Sequence, residues 1–127
     1  MGRDELTKVY GAGAMLFVLL VVVQVFFAGL GIFGATSFDA HQSFGNLLHG
    51  LTAILLILAI VGPRARRDIG MAVGLVVLVT VQIGLVDARD SAPGLAALHP
   101  VLALAAMGLA AHMGMHALRG GRPAAPA

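Results

Sequence analysis

From Val9 to Phe38 the chain reads VYGAGAMLFVLLVVVQVFFAGLGIFGATSF, with no charged residue. About 20 helical residues cross a hydrocarbon core, so this stretch alone reads as a membrane span. Three further charge-free runs follow, from Ala40 to Pro63, Ile69 to Val86 and Ser91 to Leu118. Hydrophobic residues make up 59% of the chain and charged residues 11%, far from the soluble average. The reading is an all-α integral membrane protein, an up-down four-helix bundle in one domain over residues 1–127. Four crossings use nearly the whole length and leave no room for a soluble domain. The first run is too long for a signal peptide and lacks an A-x-A site before the next charged loop, so it counts as a helix.

The expected helices cover about 9–35, 43–62, 69–86 and 96–118, with a disordered Gly/Pro/Ala tail over 120–127. Pro63 ends the second helix, Pro93-Gly94 forms the second outer turn, and Pro100 is tolerated in a first turn. His41, with Ser37, Asp39 and Gln42, falls in the first outer loop.

Seven of the eight basic residues lie on one side: Arg3, Lys8, Arg64, Arg66, Arg67, Arg119 and Arg122. Only Arg89 lies on the other, beside Asp87 and Asp90. The positive-inside rule puts both termini in the cytoplasm of a bacterial cytoplasmic membrane. The pI near 9.9 reflects these anchors and not nucleic-acid binding. The partner implied is the lipid bilayer, with a quinone, a redox membrane protein or a second copy as further candidates. Absence of cysteine excludes thiol–disulfide chemistry, c-type haem attachment, iron–sulfur clusters and thiolate zinc sites.

The chain reads as one helical hairpin written twice. Leu48-His49-Gly50-Leu51-Thr52-Ala53 and Leu98-His99-Pro100-Val101-Leu102-Ala103 each place a histidine just inside an apolar helix. Ala28–Phe33 lines up with Val81–Val86, which equates Gly31 with Gly84. Histidines inside a membrane are costly and usually used. Helices two and four sit diagonally and run the same way, so His49 and His99 can lie level. A diagonal gap of roughly 11–14 Å lets two imidazoles sandwich one iron. Gly29, Gly31, Gly34 and Gly84 would leave room for a flat ring, although tight helix packing accounts for glycines equally. Arg89 could pair with a haem propionate or simply with its neighbouring aspartates.

The arrangement resembles one four-helix half of the heme A synthase family. The stretches Val81-Gln82-Ile83-Gly84-Leu85-Val86 and Leu98-His99-x-x-Leu102-Ala103-Leu104 carry the likeness, which covers about residues 16–118. It implies haem b held by His49 and His99. That family's active half has a glutamate three residues before the second-helix histidine and an arginine right after it. Here those positions hold Asn46 and Gly50, so the likeness does not extend to the catalytic residues and the reading leans away from an enzyme. A haem-binding or electron-transfer role is the implied function. The alternatives are a metalloenzyme built on Asp39, His41, His49 and His99, and a cofactor-free accessory subunit. His112 and His116 form an i, i+4 pair that could bind a metal or sit at the headgroups. Gln24 and Gln82 are membrane amides whose default task is interhelical hydrogen bonding.

Overall fold

The computed structural model describes residues 1–63 and 65–120. Four long helices, α1 (Arg3–Ile32), α2 (Asp39–Val61), α3 (Arg66–Asp87) and α5 (Leu98–Gly120), are joined by turns and one short helix, α4 (Pro93–Ala96). Each of the four segments containing a long helix is long and apolar enough to cross a membrane. The expected disordered tail lies outside the described residues, apart from Gly120, which ends α5.

The first three helices begin earlier than hydropathy suggests, because polar residues occupy their first turns, whereas the fourth long helix begins at Leu98, after the separate short helix α4. In α1 the Glu5 carboxylate accepts from the Gly2 backbone N–H at 2.7 Å, and Asp4 and Glu5 face the positive end of the helix dipole. Its other end closes on Gly34, at φ +72°. There Ala35 N–H donates to Leu30 O at 2.9 Å and Gly34 N–H to Gly31 O at 3.2 Å. This closure needs a left-handed residue, which glycine adopts freely. The second helix starts at Asp39 rather than Ser43, which corrects the expected loop position of His41: it is helical.

Each long helix packs on two others. The α1 and α3 helices both contact α2 and α5, leaving α1/α3 and α2/α5 as the diagonals. Lipid-facing surfaces are as apolar as the core, as Leu19, Val22, Ile57 and Val101 illustrate. In such a bundle close packing, not hydrophobicity, holds the helices together. The α1 and α5 helices approach closely where Gly11 and Gly114 face each other.

The hairpin repeat is present, but in a different register from the one expected. The buried residues of α1 are Tyr10, Ala14, Phe17 and Val21, with Gly11 beside them; those of α3 are Asp68, Ala72, Leu75 and Val79. On α2 they are Leu48, Thr52, Leu55 and Ala59; on α5, Ala106, Ala110, Met113 and Ala117, with Gly114 beside them. Each of these pairs is related by the 58-residue separation of Tyr10 and Asp68. His49 then corresponds to Met107, and His99 corresponds to His41.

Candidate functional site at the end opposite the arginines

Following the core stripes away from the basic end leads to four polar residues. The α1 stripe 10, 14, 17, 21 arrives next at Gln24, and the α3 stripe 68, 72, 75, 79 at Gln82. The α2 stripe 59, 55, 52, 48 continues through Gly45 to His41, and the α5 stripe 117, 113, 110, 106 through Ala103 to His99. The spacing is the same in both copies: each histidine lies 17 residues after its glutamine. Four aliphatic-lined stripes therefore end in one polar layer with a pseudo-two-fold arrangement.

The contacts within this layer are matched. His41 Nδ1 lies 3.2 Å from the Gln24 backbone carbonyl, and His99 Nδ1 lies 2.8 Å from that of Gln82. A carbonyl only accepts, so both Nδ1 atoms carry the proton and each neutral ring keeps its lone pair on Nε2. Gln24 Nε2 donates to His41 O at 2.8 Å and sits 3.4 Å from His41 Nε2. This is the interhelical bond expected of Gln24. The two imidazoles meet across the α2/α5 diagonal, ring centroids 6.1 Å apart and inclined at 68°. Gln24 Oε1 and Gln82 Oε1 are buried with no hydrogen-bond partner among the described residues. The layer thus collects acceptors: two imidazole lone pairs and two amide oxygens. Phe38 packs edge-on against His41 at 6.1 Å, covering one side.

His49 does not join His99. Its Nε2 lies 2.9 Å from Thr80 Oγ1 on α3, and the Thr80 hydroxyl proton already goes to Val76 O at 2.8 Å. His49 Nε2 must therefore be the donor, which leaves no lone pair on that atom. The physical reason is rotational: the α2 core stripe passes through Leu48 and Thr52, so His49 turns off it toward the exposed Thr80.

The expected ring space is also different. A Cβ on Gly31 would fall 2.9 Å from the Phe38 ring, so that space is filled. Gly84 is exposed with nothing within 4 Å, and Gly29 lines a shallow apolar recess with Phe26, Leu30 and Phe33 on α1. Arg89 pairs with Asp90 at 3.8 Å, both well exposed. Asn46 and Gly50 are exposed on α2. The Asp39 carboxylate accepts from Ser37 Oγ at 2.7 Å. Among the described residues, no three His, Asp or Glu side chains gather as a metal site. The four-residue set of Asp39, His41, His49 and His99 is therefore not assembled.

At the basic end, His112 Nε2 accepts from Arg67 Nη2 at 2.7 Å, and the His112 and His116 rings stack at 6.4 Å and 3°. Tyr10 and Asp68 close that end of the core, the tyrosine hydroxyl donating to Asp68 O at 3.4 Å. Asp68 is 5% exposed, and among the described residues its Oδ1 has no partner. Apolar runs alone do not reveal the Gln24–His41 and Gln82–His99 pairing. The equal 17-residue spacing is the signal that carries it.

Neither a curated protein nor a solved structure matches the chain. Residues 24–89, just over half of it, match a family of unknown function, DUF6220. That span starts at Gln24 and includes His41 and Gln82, three residues of the polar layer. The chain belongs to the DUF6220 family.

Proposed function

We propose that this protein is a b-type haem protein of the bacterial cytoplasmic membrane, in which His41 and His99 would hold the haem near the outer face. Both termini are cytoplasmic, by the sidedness of the basic residues. One observation carries the ligand assignment: two imidazoles across a bundle diagonal, each with Nδ1–H held by a backbone carbonyl. That anchoring is the usual support for a metal-ligating histidine, because it fixes the tautomer and frees Nε2. With their rings 6.1 Å apart, both imidazoles would be within reach of one metal centre.

Haem is favoured over a bare ion by the kind of donor present. A bare transition ion would have to take the two amide oxygens as well, which are poor ligands for it, whereas a porphyrin supplies four nitrogens of its own and would need only the two imidazoles. Gly45 and Ala103, one turn inward at equivalent positions, keep side-chain bulk low beneath the rings.

When bound, the haem supplies one-electron redox chemistry. The chain's part would be to hold both imidazoles in one tautomer and to exclude water beneath them with the Val21, Leu48, Val79 and Ala106 layer. Electron transfer or haem handling is the resulting role, with a quinone or a redox membrane protein as the electron partner.

Expression with ample haem and a pyridine haemochromogen assay test the reading. Wild type should be red with a low-spin spectrum. His41→Ala and His99→Ala should each lose that spectrum, while His49→Ala, His112→Ala and His116→Ala keep it. Colourless, haem-free wild type overturns the haem reading. A normal low-spin spectrum in the His41→Ala/His99→Ala double variant overturns the ligand assignment alone.

A further inference from the structure

The second polar cluster lies at the basic end, on the groove between α3 and α5. Arg67, in the first turn of α3, reaches across to His112 on α5. His112 accepts that bond, so it is neutral and leaves the guanidinium charge uncompensated. Among the described residues, no carboxylate lies within ion-pair distance of Arg67; the one ion pair is that of Arg89 with Asp90. A guanidinium carries five N–H donors, and among the described residues this one has a single acceptor.

The same face of α5 carries more donors. His112, His116 and Arg119 recur at i, i+4 and i+7, which places them in one row along the helix. The first two rings are already stacked in parallel, and all three residues are exposed. The start of α3 beside them adds to this. Its N-cap, Ala65, makes no side-chain cap bond, so no side chain at the cap takes up the first-turn amides at the positive end of the helix dipole. At the end of apolar, membrane-length helices such a row lies at headgroup depth, where lipid phosphates are available acceptors.

We propose that the α3–α5 groove at the basic end binds the phosphate of an anionic phospholipid. The Arg67 guanidinium engages it in the planar two-point geometry that phosphate favours, with Arg119 and His116 as flanking donors. His112 acts as a positioning residue: its Nε2 holds the guanidinium in the groove rather than letting it extend into water. This site is independent of the haem reading.

Native mass spectrometry of the full chain in neutral detergent tests it, with phosphatidylglycerol, phosphatidylcholine and soluble glycerol phosphate as probes. Phosphatidylglycerol should be retained in preference to phosphatidylcholine. Arg67→Gln and Arg119→Gln should each weaken that retention roughly fivefold, the usual effect of one basic residue at an anionic membrane surface. His112→Ala should weaken it while leaving helicity by circular dichroism unchanged. The double variant Arg3→Gln/Lys8→Gln removes two cations from the same end but outside the groove, and should retain the lipid. Equal losses from the two pairs of cations would mean a diffuse field and overturn the site. Equal binding of phosphatidylcholine, or of glycerol phosphate with the same dependence on Arg67, would overturn the assignment to an anionic lipid.

Discussion

Replacing Gly114 by alanine tests whether the α1–α5 contact holds the bundle together. A Cβ there would lie 2.7 Å from Met15 Cγ and Sδ and 3.0 Å from Gly11 O. The methionine is flexible and can swing aside. The Gly11 carbonyl is backbone and cannot, so α1 and α5 must part by several tenths of an ångström. A gap of about 0.5 Å forfeits about a quarter of the attraction at every contact along the seam. Overpacking of this kind costs about 1–3 kcal/mol, and about 2 kcal/mol lowers the folded-to-unfolded ratio roughly 30-fold. In soluble proteins alanine would recover about 1 kcal/mol of helix propensity. In a bilayer or micelle the separated helices stay helical, so that gain largely cancels. Gly108 lies on the same helix, exposed, with nothing within 4 Å of where a methyl would sit, and is the control. Its alanine variant should stay within about 0.5 kcal/mol of wild type. The assay is equilibrium unfolding in mixed micelles with increasing SDS, followed by the near-ultraviolet signal of Tyr10. That residue is the only tyrosine, is fully buried, and there is no tryptophan to obscure it. Equal stability of Gly114→Ala and Gly108→Ala would refute the close α1–α5 approach.

Gly45→Ala puts a methyl 2.9 Å from Gln24 Nε2, so the amide must leave the His41 carbonyl; stability should fall by about 1 kcal/mol in the same SDS titration. The fold should survive, since the equivalent position already carries Ala103. Thr52→Val should cost no more than about 1 kcal/mol, because the buried hydroxyl donates only within its own helix, to His49 O at 2.7 Å. With no native cysteine, Ser37→Cys and Ser91→Cys should react with an impermeant maleimide from outside intact cells, and Gly2→Cys should not. Reaction of Gly2→Cys alone would invert the proposed orientation.

The sequence by itself determined the number of crossings, because a charge-free run of this length has no stable place except a membrane or a large core. It determined the sidedness of Arg3, Lys8, Arg66, Arg67 and Arg119, and the presence of a repeated hairpin. Tertiary structure decided which residues form the site. Asp39-Ala40-His41-Gln42-Ser43 has the composition of a loop, yet polar residues are what a helix's first turn accommodates, so the helical place of His41 is hidden in the sequence. The choice between His49 and His41 depended on which face of α2 points inward. A helix that is apolar all round has no polar side to mark, by contrast, the face it buries. The discriminating signal is steric: the small and medium residues Gly45, Leu48, Thr52, Leu55 and Ala59 fit against their neighbours and fix the rotation of α2. That rotation carries His41 to His99 and sends His49 to Thr80. Packing between helices, rather than any local pattern, therefore selects the histidine pair.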